Sequence, residues 1–510
     1  MSKHFSYQCR NCQYQDTYTT LLAQCPNCGE DWLDLKYNLD ETAFLWQREL
    51  PWRESNMWRY WELLPILNKS QVVSMGEGWT PLLRTENLGS MLGHPNLFIK
   101  DERQGPTASF KDRQASMAIS VLREAEIKEM VVASTGNVAI SYSAYCARAG
   151  IKLWAFLDSD VPHEKMREVT LYGSEVIKVS SNYDRTKQVA AQFAKHRNLF
   201  LDHGVRHLAT REAMKTVAFE IAEQLGRTRG LGWEAPDWYI QAVSGGMGPI
   251  GVWQGFLELH AMGLINKLPK LAIIQTEGCA PMVNSFHKGL EECEIVTNPS
   301  SIINVLSTGN PGAAYPYLRN AVLEHGGAFV KVDDQASFKA MRVMAQMEGL
   351  SMEPAAAVAA AGLTKMIQES LIQPDETVVV NITGHTFPVE KQILENEIVK
   401  SHTRVQNLAK HVVENTKPES SLRQEGLMTA LERLDERVQS IAIIEDEPDA
   451  RVLLRRILQY KRKYNIYEAS DGISGISLIR SKRPDLVLLD LMMPEVDGFA
   501  VLDTMKADQN

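Results

Sequence analysis

Along much of the chain, short apolar runs that predict strands alternate with longer stretches whose apolar residues recur with a helical period. Short apolar runs bounded by turn residues predict strands at 97–100, 130–133, 152–157, 175–179, 238–242, 271–275 and 377–381. Longer stretches with a helical period lie between them, including 111–126, 138–149 and 213–225. Strand–helix alternation of this kind predicts an α/β fold with a largely parallel sheet.

A chain of 510 residues is expected to form about three to four domains. The pattern divides it into five regions. The predicted regions are a cysteine module at 1–36, a Trp-rich arm at 37–74, the strand–helix region at 75–398, a charged helical linker at 399–438 and a second α/β unit at 439–510. The linker is interrupted at 416–421 by a turn-forming stretch. In the last region, apolar runs at 441–444 and 486–489 predict two further strands.

Composition and charge exclude several classes of protein. A net charge of −9 argues against a nucleic-acid binder. No apolar run approaches the ~18 residues that a membrane helix needs, and the polar N-terminus lacks the apolar core of a signal peptide. We therefore expect a cytoplasmic protein that binds neither nucleic acid nor membrane.

Four of the seven cysteines form two C-x-x-C pairs near the N-terminus. Cys9 and Cys12 are one pair, Cys25 and Cys28 the other, and twelve residues separate them. Each pair can present two thiolates from one tight turn, so the four together predict a structural zinc site with every ligand position taken. Free cysteines or a redox pair are the alternatives, and no strand–helix context favours the redox pair.

Several polar turns follow predicted strands, where α/β proteins bind ligands. The loop of Ser244, Gly245, Gly246, Met247 and Gly248 precedes a helix, and its amides could bind a phosphate. Asn137 and Thr383 stand at two other strand ends, and Lys111 begins a predicted helix. Taken singly, Lys111 could be a surface lysine, and each turn could be a glycine turn or a helix cap.

In combination, these motifs resemble the fold-type-II pyridoxal-phosphate (PLP) enzymes, and among them the threonine synthases. Phe-Lys-Asp at 110–112, Ser-Thr-Gly-Asn at 134–137, the glycine loop and Thr-Gly-His at 383–385 occur in order. Further motifs resembling threonine synthases lie at 58–60, 63–65, 76–82, 215–220, 309–311 and 353–355. The resemblance covers about residues 1–398 and implies two α/β subdomains, an N-terminal zinc ribbon and an enzyme that is a PLP-dependent lyase of amino-acid biosynthesis.

The resemblance also implies a role for each matching residue. Lys111 would hold the cofactor as a Schiff base and move protons at the substrate carbons. Asn137 would hold the ring hydroxyl, the amides of the 244–248 loop would bind the phosphate, and Thr383 would face the pyridine nitrogen. The implied reaction converts O-phosphohomoserine and water to threonine and phosphate, and the family suggests a homodimer.

Departures from the family pattern cluster where the substrate would bind. Val138 stands where a threonine is common, and 202–207 replaces an Asn-Ser-x-Asn-Pro stretch. Ala108, Ala356 and Thr386 are further departures. Either Arg206 or His207 supplies the substrate-phosphate contact, or the substrate differs. The alternatives are another PLP-dependent amino-acid lyase or β-replacement enzyme, and a signalling protein that binds PLP or an amino acid without turnover.

Residues 439–510 resemble the receiver domain of two-component response regulators, a flavodoxin-like fold. Glu445 and Asp446 follow one predicted strand and Asp490 follows the other, so the three could meet over one Mg²⁺. The resemblance makes Asp490 the phosphorylated residue and a histidine kinase the partner in a phosphorelay. Because the sequence ends at Asn510, before two further expected strands, we expect a partial receiver with inefficient phosphorylation.

Overall fold

The computed structural model describes residues 5–134, 136–158, 161–180, 183–386, 439–461, 464–491 and 493–507. The predicted linker at 399–438 lies outside the described residues. The chain divides into two compact units, one of 1–154, 160–174 and 198–389, the other of 155–159, 175–197 and 390–510. No helix within the described ranges combines the length and apolar character needed to cross a bilayer.

Sixteen strands and sixteen helices are described, apart from short 3-10 turns. The strands are β1 Ser6–Cys9, β2 Gln15–Thr17, β3 Leu33–Lys36, β4 Leu82–Arg84, β5 Leu97–Asp101, β6 Glu129–Ser134, β7 Lys152–Leu157, β8 Glu175–Lys178, β9 Phe200–Leu201, β10 Trp238–Ala242, β11 Lys270–Thr276, β12 Gly327–Val332, β13 Val378–Ile382, β14 Ser440–Ile444, β15 Asn465–Ala469 and β16 Leu486–Leu489. The helices are α1 Leu39–Glu49, α2 Asn87–Leu92, α3 Lys111–Glu124, α4 Asn137–Ala149, α5 His163–Leu171, α6 Tyr183–Arg197, α7 Leu208–Ala213, α8 Lys215–Arg229, α9 Met247–Ala261, α10 Pro281–His287, α11 Ala314–His325, α12 Asp334–Glu348, α13 Pro354–Gln368, α14 Pro448–Lys461, α15 Gly472–Lys482 and α16 Gly498–Ala507.

Four sheets organise these strands. Their orders are β2-β1-β3, β12-β11-β10-β13-β5-β4, β8-β7-β6-β9 and β15-β14-β16. The six-stranded sheet is parallel except for β4, which pairs antiparallel with β5. Its central strands β5, β10 and β13 are buried along their whole length, as expected for a parallel sheet covered on both faces. The α/β fold class is thereby confirmed.

The structure corrects one predicted helix and adds three strands that the sequence did not predict. The stretch 213–225 is not one helix, because α7 ends at Ala213 and α8 begins at Lys215, with a turn at Met214 between them. The three antiparallel strands of the cysteine module were not predicted. They are three or four residues long, too short for a period-two pattern to stand out.

The Trp-rich segment packs against α8. The ring of Trp46 lies 5.1 Å from that of Phe219 and 5.1 Å from that of Tyr60, and it stacks on Trp233 at 5.8 Å between centroids. Aromatic pairs at such distances add stability beyond the apolar area they bury. Trp46 therefore fixes this segment to the strand–helix region, whereas Trp52 is 88 % exposed.

Candidate functional site

Lys111 is the first residue of α3. The residue as a whole keeps intermediate exposure. Its amine lies deep enough that burial lowers the pKa of Lys111 to about 8, against the opposing attraction of Asp202 and Glu353. A lysine whose pKa lies near neutrality has a substantial fraction of unprotonated amine, which is the nucleophilic form.

The turn before Lys111 is joined to the segment after β13. The amide of Phe110 donates to the carbonyl of Thr383 over 2.9 Å, and Ser109 pairs with Gly384 in an antiparallel bridge. Thr383 is buried at the end of its strand. The hydroxyl of Ser109 is also buried, and it has no hydrogen-bond partner among the described residues. A buried polar group of this kind calls for a ligand, because leaving it unpaired costs free energy.

Asn137 lies at the start of α4 in a cluster of three polar side chains. Its Nδ2 donates to Glu353 Oε1 over 2.7 Å, and its Oδ1 accepts from Lys165 Nζ over 2.6 Å. Lys165 Nζ also lies 3.1 Å from Glu353 Oε2. A side chain at Gly384 would collide with Glu353, since an ideal Cβ there falls 2.5 Å from Oε1. Lys165 and Glu353 were not predicted from the sequence as site residues. Glu353 lies in the motif at 353–355, which could have indicated it, whereas no motif contains Lys165.

The glycine loop turns sharply from β10 into α9. Gly246 has φ +83°, and an ideal Cβ there would come within 3.0 Å of the Met282 side chain. At Gly248 it would come 2.3 Å from Gln241 Nε2. At Gly245, in contrast, an ideal Cβ meets no heavy atom within 4 Å among the described residues. The loop is therefore crowded at Gly246 and Gly248 but has space beside Gly245. It leads directly into the N-terminus of α9, and a helix N-terminus with free space beside it is suited to bind a phosphate.

Ser244 and Met247, the two loop residues that are not glycine, also have defined surroundings. Met247 is the first residue of α9 and is buried. The hydroxyls of Ser244 and Thr308 are hydrogen-bonded to each other. Thr308 was not predicted as a neighbour of the loop, because 64 residues separate it from Ser244 and no local pattern links them.

The unusual segment at 202–207 contributes a carboxylate rather than a cation. Asp202 accepts hydrogen bonds from the hydroxyl of Tyr142 and from the amide of Gly204, the latter over 2.8 Å. Burial acts to raise the pKa of Asp202, but His207, Tyr142 and the Gly204 amide outweigh it and hold that pKa below its ordinary value. Arg206 is directed elsewhere, to Asp31 at 3.2 Å.

The four cysteines of the N-terminal module converge. Their sulfur atoms all lie within 4.8 Å of one another, with Cys9 and Cys28 at 3.6 Å and Cys12 and Cys25 at 3.6 Å. Each pair spans a tight turn, closed by bonds from Gln13 N to the Cys9 carbonyl and from Gly29 N to the Cys25 carbonyl. Four sulfur atoms at these distances could hold one tetrahedrally coordinated metal ion.

Three carboxylates meet at the carboxyl ends of β14 and β16. Oxygens of Glu445, Asp446 and Asp490 lie within 4.8 Å of one another. Burial and, after it, the charge of Asp490 together raise the pKa of Glu445 to about 7. Like charges held this close favour a hard cation such as Mg²⁺.

Comparison with known proteins agrees with this geometry. Residues 73–384 match the sequence model described as "Pyridoxal-phosphate dependent enzyme", and residues 441–510 match "Response regulator receiver domain". The chain therefore belongs to the family of pyridoxal-phosphate dependent enzymes. It also carries a receiver domain, which confirms the second resemblance.

Two relatives of the chain are threonine synthases, a narrower class than the family model describes. The chain is similar to a threonine synthase of Methanocaldococcus jannaschii, with 34% identity over 381 residues, 72% of this chain and 92% of the relative. It is also similar to a threonine synthase of Methanosarcina acetivorans, with 28% identity over 77% of this chain and 94% of the relative. Among solved structures, maize serine racemase has the same fold with a TM-score of 0.53, at 22% identity over 61% of this chain and 89% of that one.

Proposed function

We propose that the chain is a PLP-dependent lyase that converts O-phosphohomoserine and water to threonine and phosphate. The observation that carries the proposal is the 34% identity to a threonine synthase of which the chain covers 92%. The predicted cofactor residues Lys111, Asn137, 244–248 and Thr383 lie within the matched family region, 73–384. The departures at Val138 and 202–207 then adjust a threonine synthase site rather than abolish it.

The residues present fit the cofactor. The space beside Gly245 and the start of α9 would receive its phosphate, Lys111 would bind it covalently, and Asn137 and Thr383 would contact its ring. Bound PLP withdraws electrons from the substrate carbons and so eases proton removal there. Because the partner at the ring nitrogen would be a hydroxyl and not a carboxylate, that withdrawal is moderate.

The protein side of the reaction rests on Lys111 and on hydrogen-bond donors. Its amine, with a pKa of about 8, can accept a proton from the substrate Cα and exchange protons at the neighbouring carbons. The buried hydroxyl of Ser109, unpartnered within the described part of the chain, is available to bind a substrate oxygen. Lys165 offers a cation at the edge of the same site, where a phosphate leaving from Cγ could be bound.

The test is to incubate purified protein with O-phosphohomoserine and measure threonine and phosphate together. Equal amounts of both, absent in Lys111→Ala, are expected. If the bound cofactor's absorbance responds to other amino acids but no threonine forms, the proposed reaction is wrong and a different lyase or β-replacement activity takes its place. If the cofactor is present and no amino acid perturbs it, the non-catalytic alternative is favoured.

We propose one structural zinc ion for the four-cysteine module. Burial raises the pKa of Cys9 to about 12, whereas hydrogen bonds, the first from Asn27, lower the pKa of Cys12 to about 6. A metal ion binds cysteine as the thiolate, so its binding would release the protons of both thiols despite their different pKa values. Purified protein is expected to contain about one zinc per chain, and Cys25→Ser to lose it. Unchanged metal content in Cys25→Ser would contradict the four-thiolate site.

We propose that Asp490 accepts a phosphoryl group from a histidine kinase, with Mg²⁺ at Glu445 and Asp446. The convergence of the three carboxylates supports this. Incubation with a small phosphoryl donor and Mg²⁺ is expected to label the protein slowly, in keeping with the inefficient phosphorylation expected from the sequence, and Asp490→Asn to remove the label. A homodimer, the cytoplasmic location and the bounds of the five regions remain predictions from the sequence.

A further inference from the structure

Asp202 is held at the carboxyl edge of a sheet, on the side where the cofactor motifs lie. It directly follows β9, and its amide donates to the carbonyl of Val131 over 3.1 Å, so it continues the parallel pairing of β9 with β6. The strand β6 leads into the turn that carries Asn137. The backbone therefore places this carboxylate beside the proposed cofactor site.

The side chain of Asp202 is 1 % exposed and is anchored from two other elements. The hydroxyl of Tyr142, on α4, donates to it. That hydroxyl also accepts from Gln114 Nε2 over 3.2 Å, and Gln114 lies three positions after Lys111 on α3. A continuous hydrogen-bonded path thus runs from the helix that begins with Lys111 to Asp202. His207 closes the other side, with Nδ1 at 3.5 Å from Asp202 Oδ1.

The charged groups that act on the amine of Lys111 come from two directions. Asp202 follows β9, and Glu353 precedes α13. Glu353 already has a cationic partner, because Lys165 Nζ lies 3.1 Å from it. Asp202 is contacted by a tyrosine, a backbone amide and a histidine, and of the two carboxylates it acts more strongly on the amine of Lys111.

We propose that Asp202 is a positioning residue that stabilises the protonated form of Lys111 and thereby sets the pH at which this lysine becomes nucleophilic. A buried carboxylate with fixed donors is a stable anion, and an anion near a buried amine favours the ammonium form. The proposal rests on the cofactor site proposed above but not on the identity of the substrate. It also gives a role to one residue of the segment 202–207, which departs from the family pattern.

The test measures how fast the full-length protein, freed of cofactor, takes up added PLP as a function of pH. Uptake requires the neutral amine, so the rate in the parent protein is expected to rise to a midpoint of about pH 8. In Asp202→Asn the midpoint is expected to fall by on the order of one pH unit. Asp202→Glu, which keeps the charge, is expected to restore most of the difference.

Two further variants make the outcome decisive. Glu212→Gln removes a carboxylate of similar burial, 6 % exposed, that faces Lys215 at 2.7 Å, and it should leave the midpoint unchanged. Asp202→Ser removes the charge with a smaller side chain, in case Asp202→Asn does not fold. An unchanged midpoint in a folded Asp202 variant overturns the inference and leaves the cofactor site standing. Covalent uptake that persists in Lys111→Ala overturns the cofactor site itself.

Discussion

The cofactor site and the acidic site of the receiver domain both contain a group that burial shifts toward its neutral form. Burial lowers the pKa of Lys111 to about 8 and raises that of Glu445 to about 7. The neighbours then act in opposite ways. Asp202 and Glu353 attract the ammonium of Lys111, whereas Asp490 and Asp446 repel the carboxylate of Glu445.

This difference has a chemical consequence. The field at Lys111 is balanced within the protein, so both protonation states are accessible without any ligand, as acid–base work requires. At Glu445 the charges of Asp490 and Asp446 act in the same direction as burial, so binding of a proton or a cation is favoured. The neighbouring carboxylates thus favour the charged form of Lys111 and disfavour the charged form of Glu445.

The largest effect is expected from Lys111→Ala. Without the amine no Schiff base can form, so the visible absorbance of bound PLP should be absent. Lys165→Ala is the matched control, because it removes an amine that lies 2.6 Å from Asn137 Oδ1 and 3.1 Å from Glu353, one of the two carboxylates that act on Lys111. The Lys165 variant is expected to retain the absorbance; if it alone lost the absorbance, the assignment of Lys111 would be wrong.

A smaller effect is expected in the glycine loop, where two neighbouring glycines separate folding from binding. Gly246 has φ +83° and a crowded Cβ position, so Gly246→Ala should lower the unfolding free energy of cofactor-free protein by roughly 1–2 kcal/mol. Gly245→Ala should change that stability by less than about 0.5 kcal/mol and instead weaken PLP binding by about tenfold or more, a loss of roughly 1.4 kcal/mol.

Thermal unfolding without PLP and equilibrium titration with PLP check the two effects separately. If Gly245→Ala bound PLP as tightly as the parent protein, the open space beside Gly245 would not be where the phosphate binds.

The sequence predicts the parts of this molecule that local patterns encode. The strands β7, β10 and β16 have the predicted bounds, because each is an apolar run between turn residues. Lys111, Asn137 and Thr383 could be proposed because family motifs surround them. The thiolate pairs could be proposed because their spacing is itself the geometry of a metal site.

The rest depends on contacts between distant residues. Glu353 lies 216 positions from Asn137, to which it is hydrogen-bonded, and Lys165 stands in a helix with no motif of its own. Asp202 was noticed as a departure from a pattern, yet its hydrogen bond to Tyr142 needs two elements 60 residues apart. Local periodicity carries no information on such pairs, so the electrostatics around Lys111 emerged from the structure alone.

The smallest effect concerns the acidic site, and it sharpens the contrast with Lys111. Mg²⁺ and a proton compete for Glu445, so Mg²⁺ affinity is expected to be constant above about pH 7 and to fall by up to about tenfold per pH unit below it. Asp490→Asn removes the strongest like charge, so the pKa of Glu445 should decrease and the pH midpoint of Mg²⁺ binding should move below 7.

The same substitution also removes a ligand, so absolute affinity falls at every pH, and the midpoint is the informative quantity. Calorimetric titration with Mg²⁺ across a pH series measures it. Glu495→Gln, at an exposed residue in the following loop, should reproduce the parent midpoint. If Asp490→Asn left the midpoint unchanged, repulsion from Asp490 would not contribute to the raised pKa of Glu445. Burial would then be its main cause, as burial is the main cause of the lowered pKa of Lys111.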